Sequence, residues 1–482
     1  MSIGDSFAAR ADRSTTGRSA WAPHSWRGLP CHQQPDWPDP ASLRRVIDRI
    51  GTLPSLVTGA EIRRLSATLS AACEGEAFVL QAGDCAETFD GLTAGALHRT
   101  VRLVLQMAML LAFGSGLPVV KIGRIAGQMA KPRSSPFEEV EGPNGMVRLP
   151  TYRGDMVNDA RARTESRRPD PERMLRAYYH SAAVLNVLRS FERDGFAELA
   201  EVHEWNRRFV AENVHGTRSR KYLDLMNAMD GAVRFLRSRP GQERGPDFYV
   251  SHEALILPYE GALTRWDESR ARWYATSAHL LWIGERTRQL DAAHVEFLSG
   301  VGNPIAVKLG PTTTPADVLG LCRRLNPDRK PGRLSLVVRM GAQHVREVLP
   351  RLIRAVRLAD EPVLWMCDPM HGNTFVTESG VKTRRFTDIV AELRAFFDIH
   401  RTEGSHPGGV HVEVTAEDVT ECLGGLTEVD PARLPTRYET ACDPRLNATQ
   451  SIDLAFVVAE VLHRRSRQGW EPDAEPTAVR LS

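Results

Sequence analysis

Eight short apolar runs constrain this chain more than any other feature. They are Phe78–Gln81, Pro118–Ile122, Phe248–His252, Leu280–Ile283, Ile305–Leu309, Leu336–Val338, Val363–Met366 and Val410–Val414. Each is too short for a helix, and each is followed within two residues by glycine, proline or a polar residue. Many of their residues are β-branched or aromatic, as in strands buried on both faces. Helical spacing fills several intervals: Ala94–Phe113, Asp291–Ser299, Pro315–Leu325, Ala342–Ala359 and Asp388–Ile399. Parallel strands need a crossover, and a helix is the usual one. The pattern predicts an α/β protein built as a (β/α)8 TIM barrel, with a doubly wound sheet as the other arrangement it allows.

One interval is too long for a single crossover. Residues 136–247 hold a proline-rich turn, helical spacing over Pro171–Phe191, and more from Ala197 to Leu236. Inserted helices are therefore expected between strands 2 and 3. Residues 1–73 read as an N-terminal extension. Its segment Ser25–Pro40 (SWRGLPCHQQPDWPDP) sets four prolines and two tryptophans among polar residues, an irregular arm lying on a surface. Helical spacing follows near Leu43–Ile50 and Gly59–Ala72. The catalytic barrel is expected over 74–467, ending in an amphipathic helix at Ser451–Arg465. The polar tail 468–482 is expected to be disordered.

Composition removes several classes. Net charge is +2 from 62 basic and 60 acidic residues, so no global field argues for nucleic acid or an anionic membrane. The longest apolar run, near Leu103–Phe113, is about half a membrane span. Arg10, Arg13 and Arg18 lack the apolar core of a secretory signal. Seven scattered cysteines without a CxxC argue against a disulfide scaffold and for a reducing cytoplasm. Only six residues are lysine: Lys121, Lys131, Lys221, Lys308, Lys330 and Lys382. A general bias towards arginine accounts for most of this, yet a retained lysine can mark a site that needs a compact point charge.

Barrel chemistry sits where the strands end. Arg124, Arg286, Lys308 and Arg339 stand at or just beyond four different runs. Like charges crowded on one rim repel unless an anion neutralises them. Guanidinium forks grip phosphate and carboxylate oxygens, so the four predict a small ligand carrying both groups. The opposing reading pairs these cations with Glu285, Glu253 or Asp84 in structural salt bridges. Cys85, His371, Glu413 and Asp443 form a mixed sulfur, nitrogen and oxygen set suited to Mn²⁺, Co²⁺, Fe²⁺ or Zn²⁺. Spacing alone leaves that set open. A buried free cysteine at position 85 and a hydrogen-bonded loop histidine at 371, beside Asp368 and Asn373, are the plainer alternatives.

The motifs QAGDCAETF, KIGRIAGQMAKPRS, YRGD, SHEALILPYEGALTR, WIGERTRQLDAAHVEF, GNPIAVKLGPTTTP, RMGAQ, CDPMHGNT, HPGGVHVEVT and ACDPRLN together resemble the class II (plant-type) 3-deoxy-D-arabino-heptulosonate 7-phosphate (DAHP) synthases. The resemblance runs from about Trp37 to Arg465. It implies a metal-dependent transferase that condenses phosphoenolpyruvate (PEP) with erythrose 4-phosphate and releases phosphate, the first step of the shikimate pathway. It implies Cys85, His371, Glu413 and Asp443 as metal ligands, with Mn²⁺ or Co²⁺ foremost and Fe²⁺ or Zn²⁺ as alternatives. Arg124, Glu285, Arg286, Lys308 and Arg339 are implied to hold PEP. Lys131, Arg133 and Ser134 are implied to position the aldehyde and its phosphate. Lys131, Glu285, Lys308 and His371 are the implied catalytic groups. A homo-oligomer, dimer or tetramer, and association with a chorismate mutase follow from the same resemblance.

Two departures stand out: Ala82 where QGGDC is expected, and Asp159 after YRGDMVN where glycine is usual. A related enzyme of secondary metabolism, making DAHP or amino-DAHP from a modified aldehyde, would differ around Lys131–Ser135 and Arg153–Asn158. Cys442 adjoins Asp443. A disulfide from it to Cys85 would remove the metal thiolate and act as an oxidative off-switch.

Overall fold

The computed structural model describes residues 21–142, 145–193, 199–214, 222–227, 229–230 and 247–468. The tail beyond 468, the first 20 residues and part of the Ala197–Leu236 helical reading lie outside the described residues. Eight strands form the barrel: β1 (Phe78–Gly83), β2 (Val119–Arg124), β3 (Phe248–Glu253), β4 (Leu280–Ile283), β5 (Ile305–Leu309), β6 (Leu334–Val338), β7 (Leu364–Cys367) and β8 (Pro407–Glu413). They close in the order β1-β8-β7-β6-β5-β4-β3-β2, with every neighbour parallel. The (β/α)8 architecture is thus the observed one. Closure buries both faces of each strand, which is why seven of the eight lie wholly or almost wholly in the core and read as continuous apolar runs.

Among the described residues, the helices include, in chain order, α1 (Pro40–Gly51), α2 (Gly59–Cys73), α3 (Ala94–Ser115), α4 (Glu172–Arg193), α5 (Leu199–Asn213), α6 (Leu257–Ala262), α7 (Ala293–Gly300), α8 (Pro315–Leu325), α9 (Val345–Leu358), α10 (Phe386–Thr402) and α11 (Ala448–Gln468). Their starts follow from local chemistry. Thr58 caps α2 by accepting from Glu61 N at 3.2 Å, while Thr58 N donates to Glu61 Oε2 at 2.7 Å. Thr314 and Asp317 make the same box for α8, with Pro315 at its first position. Helix α2 does more than flank the barrel. Its Leu65, Leu69 and Ala72 are fully buried against inward residues Val79, Ile122, Leu280, Val337 and Met366, closing the end opposite the β-strand C-termini. The apolar run at Leu103–Phe113 belongs to a longer helix, α3, which by length and composition alone is apolar enough to cross a membrane. Here it packs against β1, β2, α5 and α11.

Three antiparallel hairpins were not anticipated: Phe137–Gly142 with Gly145–Pro150, Thr264–Asp267 with Arg272–Ala275, and Thr374–Val376 with Lys382–Arg384. The first occupies the expected proline-rich turn. Phe137, Met146 and Val147 stay exposed there, so no one-sided burial imprints an alternating pattern on the sequence. Of the two departures noted above, neither Ala82 nor Asp159 adopts a left-handed backbone. The demanding position is Gly83, at φ 150°, where a Cβ would lie 2.7 Å from Arg124 O. Asp159 instead uses its carboxylate, accepting from Arg161 N at 2.9 Å and pairing with the Arg161 guanidinium.

Candidate active site

Strand register brings the first groups together. Gly83, the last residue of β1, is paired with Arg124 of β2 on one side and Glu413 of β8 on the other. With no side chain at 83, the Arg124 guanidinium reaches across. Its Nη2 donates to Glu413 Oε1 at 2.8 Å, its Nε to Asp84 O at 3.0 Å, and its plane lies over the Trp282 ring of β4 at 5.1 Å. Arg124 also meets His411, whose Nδ1 is 2.7 Å from Gln81 Oε1.

Glu413 is the hub. Its Oε1 lies 3.4 Å from Lys131 Nζ and 3.1 Å from His371 Nε2, and its Oε2 lies 2.9 Å from Arg384 Nη1. Asp443 Oδ2 lies 3.3 Å from Lys131 Nζ, and its other oxygen pairs with Lys382. His371 is fixed from behind, with Nδ1 2.7 Å from Asp368 Oδ2, and the same Asp368 carboxylate pairs with Lys308. Arg339 Nη2 donates to His371 O at 3.2 Å, and its buried Nε has no hydrogen-bond partner.

Burial sets the electrostatics. It raises the Glu413 carboxyl, but His371, Lys131, Arg384 and Arg124 together hold it well below the usual range. Asp443 behaves alike, with Lys131, Lys382 and Arg384 overcoming burial. Burial would deprotonate Lys131, yet Glu413 and Asp443 keep it firmly charged. Lys308 goes the other way: burial lowers it to about 8 although Asp368 opposes the change. Burial also raises Glu253, whose Oε1 has no hydrogen-bond partner.

The donor set fits a metal ion. Donor atoms of His371, Glu413 and Asp443 all lie within 4.8 Å of one another, the one such group of three or more found among the described residues. Cys85 is adjacent: its Sγ accepts from Asp443 N at 3.4 Å and lies 3.3 Å from Thr440 Oγ1. Burial pushes its thiol far up, so a nearby cation such as a bound metal is what would favour the thiolate. Cys85 and Cys442 are both free thiols.

Other sequence-derived candidates lie outside this network. Glu285 accepts from Gly310 N at 2.6 Å and from Arg288 at 3.0 Å. Arg286 is exposed on the rim. Arg133 pairs with Glu138 at 2.7 Å, and Ser134 is exposed. Two of the four cations are paired, but not with the carboxylates first considered: Arg124 takes Glu413 and Lys308 takes Asp368, while Asp84 goes to Arg445. Sequence reasoning assigned no role to Arg384 or His411. The position of His411 two residues before Glu413 on β8 puts both on one strand face, a signal that was available.

A closed barrel whose strand ends gather a metal-competent triad inside a ring of buried cations defines a metal-assisted enzyme for a small anionic substrate. The sequence signature of the Class-II DAHP synthetase family matches residues 21–459, and the chain belongs to that family. It is 49% identical over 443 residues, 91% of this chain and 97% of the relative, to a phospho-2-dehydro-3-deoxyheptonate aldolase of Streptomyces coelicolor. It is 46% identical over 442 residues, 90% of this chain and 93% of the relative, to the phospho-2-dehydro-3-deoxyheptonate aldolase AroG of Mycolicibacterium smegmatis.

Proposed function

We propose that this chain condenses PEP with erythrose 4-phosphate to give DAHP and inorganic phosphate, with Arg124, Lys308 and Arg339 holding PEP beside a metal on His371, Glu413, Asp443 and Cys85. The observation that carries this assignment of roles is the Glu413 hub. One carboxylate there touches a metal-competent histidine and three cations that reach it from different segments. The bound ion, Mn²⁺ or Co²⁺ by donor chemistry and family, would act as a Lewis acid on the aldehyde oxygen.

The protein residues do the rest. Arg124 on β2, Lys308 on β5 and Arg339 just beyond β6 fix the PEP phosphate and carboxylate, so the enol face is presented in one orientation. Arg286, exposed at the rim, completes that set as substrate enters. Lys131, kept charged beside Glu413 and Asp443, is placed to hydrogen-bond the alkoxide that develops on the aldehyde. Asp368 holds the His371 ring by Nδ1, leaving Nε2 for the metal. Glu285, anchored by Gly310 N, serves the proton of the water that attacks C2. Arg133 and Ser134 take the aldehyde phosphate. The family likeness also supports a homo-oligomer, an association with a chorismate mutase and a cytoplasmic setting.

The test is phosphate release from PEP by the purified protein. Turnover is expected only with erythrose 4-phosphate present. It should fall to background in EDTA and return with Mn²⁺ or Co²⁺. Full activity in EDTA, with no metal found in the protein, would remove the metal assignment.

A further inference from the structure

The arm segment holding Gln33 is left unused by the mechanism above. It is not loosely laid on the surface. Trp21 Nε1 donates to Glu296 O at 3.0 Å, Pro30 O accepts from Ala293 N at 3.0 Å, and Gln34 Nε2 donates to Leu255 O at 2.6 Å. Between the last two anchors the chain turns through Gln33 with φ 62°, a left-handed conformation that a non-glycine residue holds only when its surroundings impose it. That turn aims Gln33 at two loops of the rim. Its Oε1 accepts from Arg133 N at 2.8 Å, and its carbonyl O accepts from Arg153 Nη1 at 3.3 Å. The two loops also meet directly, through Lys131 N to Arg153 O at 2.9 Å. Gln33 thus ties together the segment with Lys131, Arg133 and Ser134 and the segment with Arg153. Neither of these hydrogen bonds of Gln33 reaches Arg124, Lys308 or Arg339, which stand at or just beyond the ends of barrel strands.

We propose that Gln33 is a positioning residue for the aldehyde substrate: it holds the Lys131–Ser134 loop in the shape that receives the aldehyde phosphate. The inference rests on reading that loop as the aldehyde-phosphate site. Without the Gln33 acceptor, the loop has to be ordered by the aldehyde itself. That cost falls on aldehyde binding and not on PEP, whose cations sit on strands.

The experiment is steady-state kinetics on the full-length metal-loaded enzyme and three variants: Gln33→Gly, Gln33→Glu and Arg133→Ala. Gln33→Gly keeps the left-handed turn and deletes the acceptor. It is expected to raise KM for erythrose 4-phosphate about three- to tenfold, the scale of one lost hydrogen bond, with KM for PEP changed less than about twofold. Gln33→Glu, which keeps an acceptor oxygen, is expected to recover most of that loss. Equal shifts in both KM values would mean that Gln33 only anchors the arm, and would overturn the proposal. So would an unchanged aldehyde KM in Gln33→Gly while Arg133→Ala raises it, an outcome that leaves the loop reading standing. An unchanged aldehyde KM in Arg133→Ala would overturn both. If Gln33→Gly loosens the arm enough to lower the melting midpoint, Gln33→Asn is judged by the same criteria. It tolerates the same backbone and ends short of Arg133.

Discussion

Arg354 on α9 donates to Glu403 at 2.8 Å, and Arg124 on β2 donates to Glu413 at the same distance. The first pair lies where the helices return to the strand N-termini, with 59% of the Arg354 side chain exposed. The second lies at the opposite rim, with 1% of Arg124 and none of Glu413 exposed. Equal hydrogen-bond distance therefore carries different energetics. Water reaches the arginine of the first pair directly and screens the contact, although Glu403 itself is only 10% exposed, so little is gained by pairing. The second has lost its water. Each charge there depends on the others, because an unpaired ion in that setting faces the full desolvation penalty. The lesson is that hydrogen-bond distance says nothing about worth until burial is known. A rim that gathers this many buried ions does not follow from stability alone.

The sharpest way to break the comparison is Glu413→Ala. It leaves Arg124, Lys131 and Arg384 without their shared carboxylate and takes away one candidate metal ligand. Turnover is expected to vanish, metal content to fall, and stability to drop by about 3–5 kcal/mol, as for other buried pairs that lose one partner. Metal analysis and urea unfolding of the same preparation measure both. A variant that binds metal and unfolds at the unmodified midpoint would show that the rim is as well screened as the far end.

How much of this was legible in the sequence depends on the physics of each part. The barrel strands were, because closure buries both faces and leaves dense apolar runs such as Ile305–Leu309. That Arg124, Lys308, Arg339 and Glu413 stand at one rim was also legible, because each lies at or just beyond the end of such a run. Which of them touch was not. Glu413 forms an ion pair with Arg384, whose short hairpin strand, Lys382–Arg384, has no periodicity to read. The arm looked like surface covering because proline and polar residues show no core face. Its contacts, Gln33 to Arg133 among them, span 100 to 275 positions and exist only once the barrel is closed.

Glu392 on α10 sharpens the comparison by separating burial from pairing. It is buried like the rim carboxylates, but its hydrogen-bond partners are neutral: Met340 N and Gly341 N at 2.8 Å and Asn373 Nδ2 at 2.7 Å. Burial raises its pKa to about 8 from an ordinary 4.5, with Asp368 adding to the rise and the three N–H donors opposing it. The folded protein therefore keeps a proton that the unfolded chain releases between those values. Stability from this group is complete below about 4.5 and is lost as pH rises through about 8. Glu392→Gln cannot titrate. Between pH 6 and 8.5 the unmodified protein is expected to lose about 2–3 kcal/mol relative to the variant, at about 1.4 kcal/mol per unit. Urea midpoints of both proteins across that range provide the check. A difference that grows in the opposite direction would mean that the N–H donors outweigh burial.

The smallest effect belongs to the exposed end. Arg354→Ala removes both contacts to Glu403, which together form a bidentate pair, yet leaves behind a carboxylate that water reaches as the arginine departs. The burial penalty that dominates at Glu413 is smaller here, and the variant no longer spends the rotamer freedom of a long arginine side chain on holding the pair. These terms nearly cancel. The melting midpoint is expected to move by no more than about 1 °C and kcat/KM not at all. A larger loss of stability would mean that Glu403 draws on Arg354 as a buried carboxylate would. The contrast between the two ends would then rest on the number of partners around each carboxylate, one against four, and not on water.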